Sequence, residues 1–88
     1  MTRKFIIFCG TVQGVGFRWR AEQAAERYDC TGWCRNEWEG SVTMEIQGEE
    51  EAIDAVIRAI EAGRYVEIDR MTVKTIPTLE SEYGFRAE

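Results

Sequence analysis

The chain has 88 residues, the length of one small domain, so a single unit over residues 1–88 is expected. Hydrophobic residues make up 44% and charged residues 31%, an ordinary globular balance. The net charge of −5 disfavours nucleic acid and anionic membranes as partners, because both reward basic patches. No apolar run approaches 18 residues, and the N-terminus lacks the apolar segment and cleavage site of a signal peptide. The expected location is the cytoplasm, with no membrane contact. Three cysteines are an odd number and give no disulfide framework. Cys30 and Cys34 share a parity within one predicted strand and read as small core hydrophobes. Without a histidine anywhere, their spacing argues against zinc, and no metal or other cofactor is expected.

Residues 3–9 (RKFIIFC) read as a short, largely buried strand bounded by Gly10. Gly10 to Arg18 (GTVQGVGFR) follows as a glycine-rich loop. The pattern then predicts a helix over 18–28. Ala21, Ala24, Ala25 and Tyr28 fall on one apolar stripe, and Glu22, Gln23, Glu26 and Arg27 take the other face. Arg18 heads the apolar stripe, where a charge needs a partner. Trp19 lies on the polar face, either as a lone exposed aromatic or as a wall of a site.

Residues 30–36 (CTGWCRN) read as a strand with Cys30, Gly32, Cys34 and Asn36 on one side. Glu37 to Gly40 is a turn, and residues 41–47 (SVTMEIQ) alternate. Val42, Met44 and Ile46 point inward, while Thr43, Glu45 and Gln47 point outward, so the hairpin is expected to have one solvated face. Gly48 to Glu51 opens a second helix with an acidic first turn, which suits the helix dipole. Ala52, Ile53, Val56, Ile57 and Ile60 form its inner stripe, and Gly63 is the expected C-terminal cap. Residues 64–70 are ambiguous. Residues 71–76 read as a strand with Met71 and Val73 on one face, ended by Pro77. Residues 82–87 read as a last short strand with Tyr83 and Phe85 paired on one face.

The order β-α-β-β-α-β predicts an α+β, ferredoxin-like sandwich. Two helices cover one face of a four- to five-stranded antiparallel sheet. Fold alone does not give function.

A glycine-rich loop between a strand and a helix turns several N–H groups inward, and the helix start adds free donors and partial positive charge. Such a place holds an anion, most often phosphate. Arg18 at the helix entrance can clamp the same anion, or it can simply pair with Glu22. The loop is neither a nucleoside-triphosphate loop nor a dinucleotide fingerprint. It contains no nucleophile, and the chain has no serine–histidine pair and no metal-ligand cluster. An anion cradle, one arginine and one amide, Asn36, suit phosphoryl transfer to water, which needs positioning and charge stabilisation. An acyl phosphate fits, because its carboxylate leaving group departs without a proton. Asn36 can orient the attacking water, or it can merely stabilise the hairpin turn.

GTVQGVGFR followed by GWCRNEWEG resembles the two signatures of the acylphosphatase family, G-x-V-Q-G-V-x-F-R and G-[aromatic]-x-[basic]-N-x-x-x-G. The two motifs fix about a fifth of the chain, and the order of the remaining elements is similar throughout. The resemblance implies a hydrolase that splits acyl phosphates into carboxylate and inorganic phosphate. It implies that the backbones of Gln13, Gly14, Val15, Gly16, Phe17 and Arg18 bind the phosphoryl group. It implies that the Arg18 side chain binds phosphate and that Asn36 positions water. It also implies no metal, no covalent intermediate and a small-molecule substrate; a monomer is expected. The chain departs from the family pattern at Glu37, where a small hydroxyl residue is common. A carboxylate there would repel a phosphate dianion unless it points away, and Arg20 and Arg35 are the candidates to offset it. Glu39 and Ala87 also differ from common family choices. The alternative is a non-catalytic anion-binding or regulatory module using the same loop. A nucleic-acid-binding sheet built on Trp33 and Tyr83 is disfavoured by charge and by the missing aromatic-rich motif.

Overall fold

The computed structural model describes residues 1–88. Strand β1 (Thr2–Thr11) leads into helix α1 (Phe17–Arg27), then β2 (Thr31–Asn36), β3 (Val42–Gly48), α2 (Glu50–Glu61), β4 (Glu67–Ile76) and β5 (Phe85–Ala87). The strands form one sheet in the order β4-β1-β3-β2-β5. β1 to β4 pair antiparallel, as expected of the ferredoxin-like fold. β5 runs parallel to β2, so the sheet is mixed where the sequence suggested an all-antiparallel one.

The alternating strands and striped helices meet in one core. Ile6 and Phe8 of β1, Cys34 of β2, and Val42, Met44 and Ile46 of β3 are fully buried. They face Phe17, Ala21, Ala24 and Ala25 of α1 and Ile53, Val56 and Ile60 of α2. The Phe8 and Phe17 rings meet edge-on with centroids 4.9 Å apart. Such a pair adds about 0.5–1.5 kcal/mol beyond area burial. It also pins the start of α1 to β1, which fixes both ends of the intervening loop.

Several elements differ from the reading of the sequence. β1 continues through Gly10 and Thr11, so the loop begins later than expected. The register shifts between Cys9 and Gly10, and a Cβ on Gly10 would lie 2.3 Å from the Glu67 carbonyl oxygen. Gly10 is therefore a bulge glycine in the sheet. β4 starts at Glu67, inside the stretch that carried no clear pattern. As an edge strand with little covered surface, it has no need of alternation. Gly63 follows the cap residue Ala62 without left-handed backbone. It is glycine for space, since a Cβ would come within 2.8 Å of Arg20 Nε. Tyr83 is 87% exposed and lies outside β5, because Gly84 at φ 70° turns the chain between Tyr83 and Phe85.

The outer face of the hairpin is also not the solvated face that alternation suggested. Thr43 and Gln47 are buried there, and Arg3 is 1% exposed. The non-regular segment 77–84 crosses this face. Gln47 accepts from Leu79 N–H at 2.9 Å and donates to its carbonyl at 2.9 Å. Arg3 donates to both Glu82 carboxylate oxygens (2.8 and 3.1 Å), to Glu45 (2.9 Å) and to Gln47 (3.2 Å).

Candidate active site

The segment between β1 and α1 is held by what it buries. Val12 and Phe17 are both fully buried, one at each end. Between them Gly14 (φ 71°) and Gly16 (φ 84°) are left-handed, with open space around both. Conformation, not crowding, requires glycine at these two positions. Gly16 is the N-cap of α1 and provides no capping side chain. The first helical hydrogen bond is from Arg20 N–H to the Gly16 carbonyl, at 3.0 Å. The main-chain N–H groups from Gln13 to Trp19 have no acceptor within the protein. Unmatched donors at a helix start, preceded by alternating left-handed glycines, form an anion-binding concavity.

Val12, Gly14, Gly16, Phe17, Arg18, Trp19 and Asn36 line a pocket of about 180 Å³. The two sequence motifs, far apart in the chain, thus meet in one place. Asn36 arrives at the end of β2, on the same side as Cys34. Its Oδ1 is buried and has no hydrogen-bond partner. Leaving such an acceptor unmatched costs about 1–3 kcal/mol. A buried orphan acceptor is a rare feature and calls for a cause.

Gln13 contributes more than its backbone. Its side-chain Nε2 donates to the carbonyls of Glu37 (2.7 Å) and Ser41 (2.9 Å). It thereby ties the loop to the hairpin turn that carries Asn36. The sequence reading gave Gln13 a main-chain role only. The available signal was an amide inside an otherwise small and apolar loop.

Arg18 sits half-buried in the first turn of α1 and donates to the Glu88 carbonyl at 2.5 Å. It does not pair with Glu22, the alternative the sequence offered. Glu22 instead accepts from Ala87 N–H at 3.4 Å. Trp19 is both things at once, 63% exposed and a wall of the pocket.

Glu37 is turned away from the pocket. It pairs with Arg35 at 2.9 Å. The Arg35 hydrogen bond, with a second from Thr43, holds the Glu37 carboxyl below its usual range. The charge that threatened an anion site is thus neutralised on the other face of the hairpin. Cys34, two residues before Asn36 on β2, is the buried thiol nearest the pocket in sequence. Burial pushes its thiol up to about 12, although the Arg18 charge opposes the shift. At neutral pH it is an uncharged core side chain.

Fold and pocket together describe a ferredoxin-like protein in which a loop of unmatched N–H groups lies beside an amide without a partner. The acylphosphatase family model matches residues 4–87. An acylphosphatase of Geobacillus kaustophilus is 38% identical over 87 residues, covering 98% of this chain and 93% of that protein. One of Oceanobacillus iheyensis is 44% identical over 69 residues, covering 76% of each. The crystal structure of the acylphosphatase from Bacillus subtilis superimposes with a TM-score of 0.89 at 29% identity, covering 100% of this chain and 99% of that one. The chain belongs to the acylphosphatase family.

Proposed function

We propose that the chain hydrolyses acyl phosphates, with Asn36 orienting the attacking water and the segment from Gln13 to Arg18 holding the phosphoryl group. The observation that supports this reading is the meeting of Asn36 with the unmatched N–H groups of the loop and with Arg18 in one pocket. The Asn36 amide on that wall can hydrogen-bond a water and hold one of its lone pairs toward phosphorus. The loop N–H groups and the Arg18 guanidinium stabilise the phosphoryl oxygens as charge redistributes. The bond from the water oxygen to phosphorus forms as the bond from phosphorus to the acyl oxygen breaks. The electron pair leaves with the carboxylate, whose pKa of about 4 makes protonation unnecessary. The proton of the water passes to the phosphate product or to solvent. Positioning is the main contribution, worth roughly 7–11 kcal/mol at best.

Every group this reading uses comes from one chain, so it describes a monomer acting as one unit over residues 1–88. The three cysteines are free, which supports a reducing compartment such as the cytoplasm. No helix is long and apolar enough to cross a membrane.

Hydrolysis of benzoyl phosphate, with and without EDTA, tests the proposal. Turnover that EDTA leaves unchanged and that collapses in Asn36→Ala is the expected result. A folded wild type that binds phosphate without turning over any acyl phosphate would overturn it in favour of a binding module.

A further inference from the structure

The Gln13 side chain spends its donors on one target, the turn that follows Asn36. Its Nε2 donates to the Glu37 carbonyl at 2.7 Å and to the Ser41 carbonyl at 2.9 Å. Both carbonyls already close the turn. Glu37 accepts from Gly40 N–H at 3.1 Å, and Ser41 accepts from Glu37 N–H at 2.8 Å. A carbonyl has two lone pairs, so Gln13 fills the second on each. The Glu39 carboxylate braces the same turn, accepting from Ser41 N–H at 3.2 Å and from the Ser41 hydroxyl at 2.8 Å. The turn thus closes with its own bonds, and what Gln13 adds is attachment to the loop.

That attachment is otherwise missing. No other hydrogen bond joins residues 12–16 to the hairpin. The loop is fixed at its ends by the buried Val12 and Phe17. Asn36 is fixed by the β2–β3 ladder, where it pairs with Val42. β3 lies between β1 and β2 in the sheet, so no ladder joins the strand that feeds the loop to the strand that ends in Asn36.

We propose that Gln13 is a positioning residue, whose side chain sets the distance between the phosphoryl cradle and the Asn36 amide. The proposal rests on the hydrolysis reading argued above. The cradle holds phosphorus and Asn36 holds the water, so the tether between them governs the line of attack. A misplacement of about 1 Å costs on the order of 100-fold in rate. The side chain acts at one remove, through the turn that carries Asn36. Glutamate has the same length but, once ionised, no donor; asparagine has the donors but is one methylene short.

The test measures kcat and KM for benzoyl phosphate, and inhibition by inorganic phosphate, in wild type, Gln13→Met, Asn36→Ala and the double variant. Circular dichroism reports the fold. Gln13→Met keeps the length of the side chain and loses both donors. Its kcat should fall about 10–100-fold. Phosphate inhibition should stay near the wild-type value, because the loop N–H groups and Arg18 remain. In the Asn36→Ala background the same substitution should leave kcat nearly unchanged, since residues that act as a unit are not additive. An equal fold loss in both backgrounds, or phosphate inhibition that weakens in step with kcat, would assign Gln13 to the cradle or the fold and overturn the proposal. Wild-type kcat in Gln13→Met would also overturn it. In these cases turnover by wild type leaves the hydrolysis reading standing. Gln13→Glu takes the place of Gln13→Met if the latter does not fold, and failure of both to fold would make the tether structural and overturn the positioning role. Full turnover in Asn36→Ala would remove the water-orienting role, and a wild type inert toward benzoyl phosphate would remove the hydrolysis reading; either takes the proposal with it.

Discussion

Replacing Asn36 by alanine should move activity and stability in opposite directions. The Oδ1 atom is buried without a partner, which costs the folded state about 1–3 kcal/mol. Alanine removes that atom and its cost. It also removes the packing contacts of the amide carbon Cγ, worth at most about 0.8 kcal/mol on the scale of one buried carbon. The net effect is a folded state between roughly neutral and 2 kcal/mol more stable. In a domain of this size each kcal/mol shifts Tm by about 4–8 °C. Turnover should fall about 10²–10³-fold, the usual consequence of removing one preorganised polar group from a reacting centre. Inhibition by inorganic phosphate should change little, because the loop donors remain. Urea and thermal unfolding, run beside the hydrolysis assay, read both effects. A variant destabilised by 1 kcal/mol or more would refute the reasoning, since Asn36 would then be satisfied in the folded protein and structural in role. Retained turnover would refute the water-orienting role directly.

Gly16→Ala should cost about 1–2 kcal/mol, because φ 84° is left-handed and the space around it is open, so the penalty is conformational alone. Inhibition by inorganic phosphate should weaken in the same variant, and unchanged inhibition would show that this backbone is not part of the cradle. Stability should fall on the alkaline side. Burial raises the thiols of Cys30 to about 11 and Cys34 to about 12, so between pH 9 and those values the unfolded chain loses protons that the folded chain keeps. Each thiol then contributes a slope of about −1.4 kcal/mol per pH unit. Urea unfolding from pH 8 to 10.5 should show that slope halved in Cys34→Ala, and equal slopes would count against it. Glu82→Gln should loosen segment 77–84 and cost about 1.5–3 kcal/mol, the range for hydrogen bonds to a charged group. Arg3 holds the Glu82 carboxyl below its usual range, so this contribution is complete above the ordinary carboxylate pKa and is lost as pH falls. Faster amide exchange at Leu79 in the variant is the readout, and exchange at the wild-type rate would mean the strap is held elsewhere.

The parts of the fold nearest the site were the parts most legible in the sequence, for physical reasons. Ala21, Ala24 and Ala25 on a helix, and Val42, Met44 and Ile46 on a strand, bury one face each. Their periodicity follows directly from that burial. Gly14 and Gly16 were legible as loop glycines because few other residues adopt their backbone. Gly10 was misread because a bulge glycine and a loop glycine look the same in one dimension. β4 was half missed because an edge strand exposed along most of its length has no pattern to enforce. The back face was missed for the converse reason. Its buried residues are Arg3, Thr43 and Gln47, polar types that alternation assigns to solvent.

Arg3 and Asn36 show how structure separates two kinds of buried polar group that a sequence cannot. Arg3 is the more improbable of the two by type, since arginine is almost never fully buried unless paired. The fold answers it with four hydrogen bonds, two of them a fork onto Glu82. Nothing is left for an outside group to satisfy, and the cluster fastens one segment of chain to another. Asn36 is unremarked by type and sits where a turn residue belongs. Yet its Oδ1 has no partner, although Gln13, Glu37 and Ser41 are all bonded around it. The Gln13 bonds tie the loop to the turn beside Asn36 and leave Oδ1 without a partner in the protein. A polar group whose neighbours are matched to one another, and which is itself unmatched, is the one whose substitution separates a functional role from a structural one.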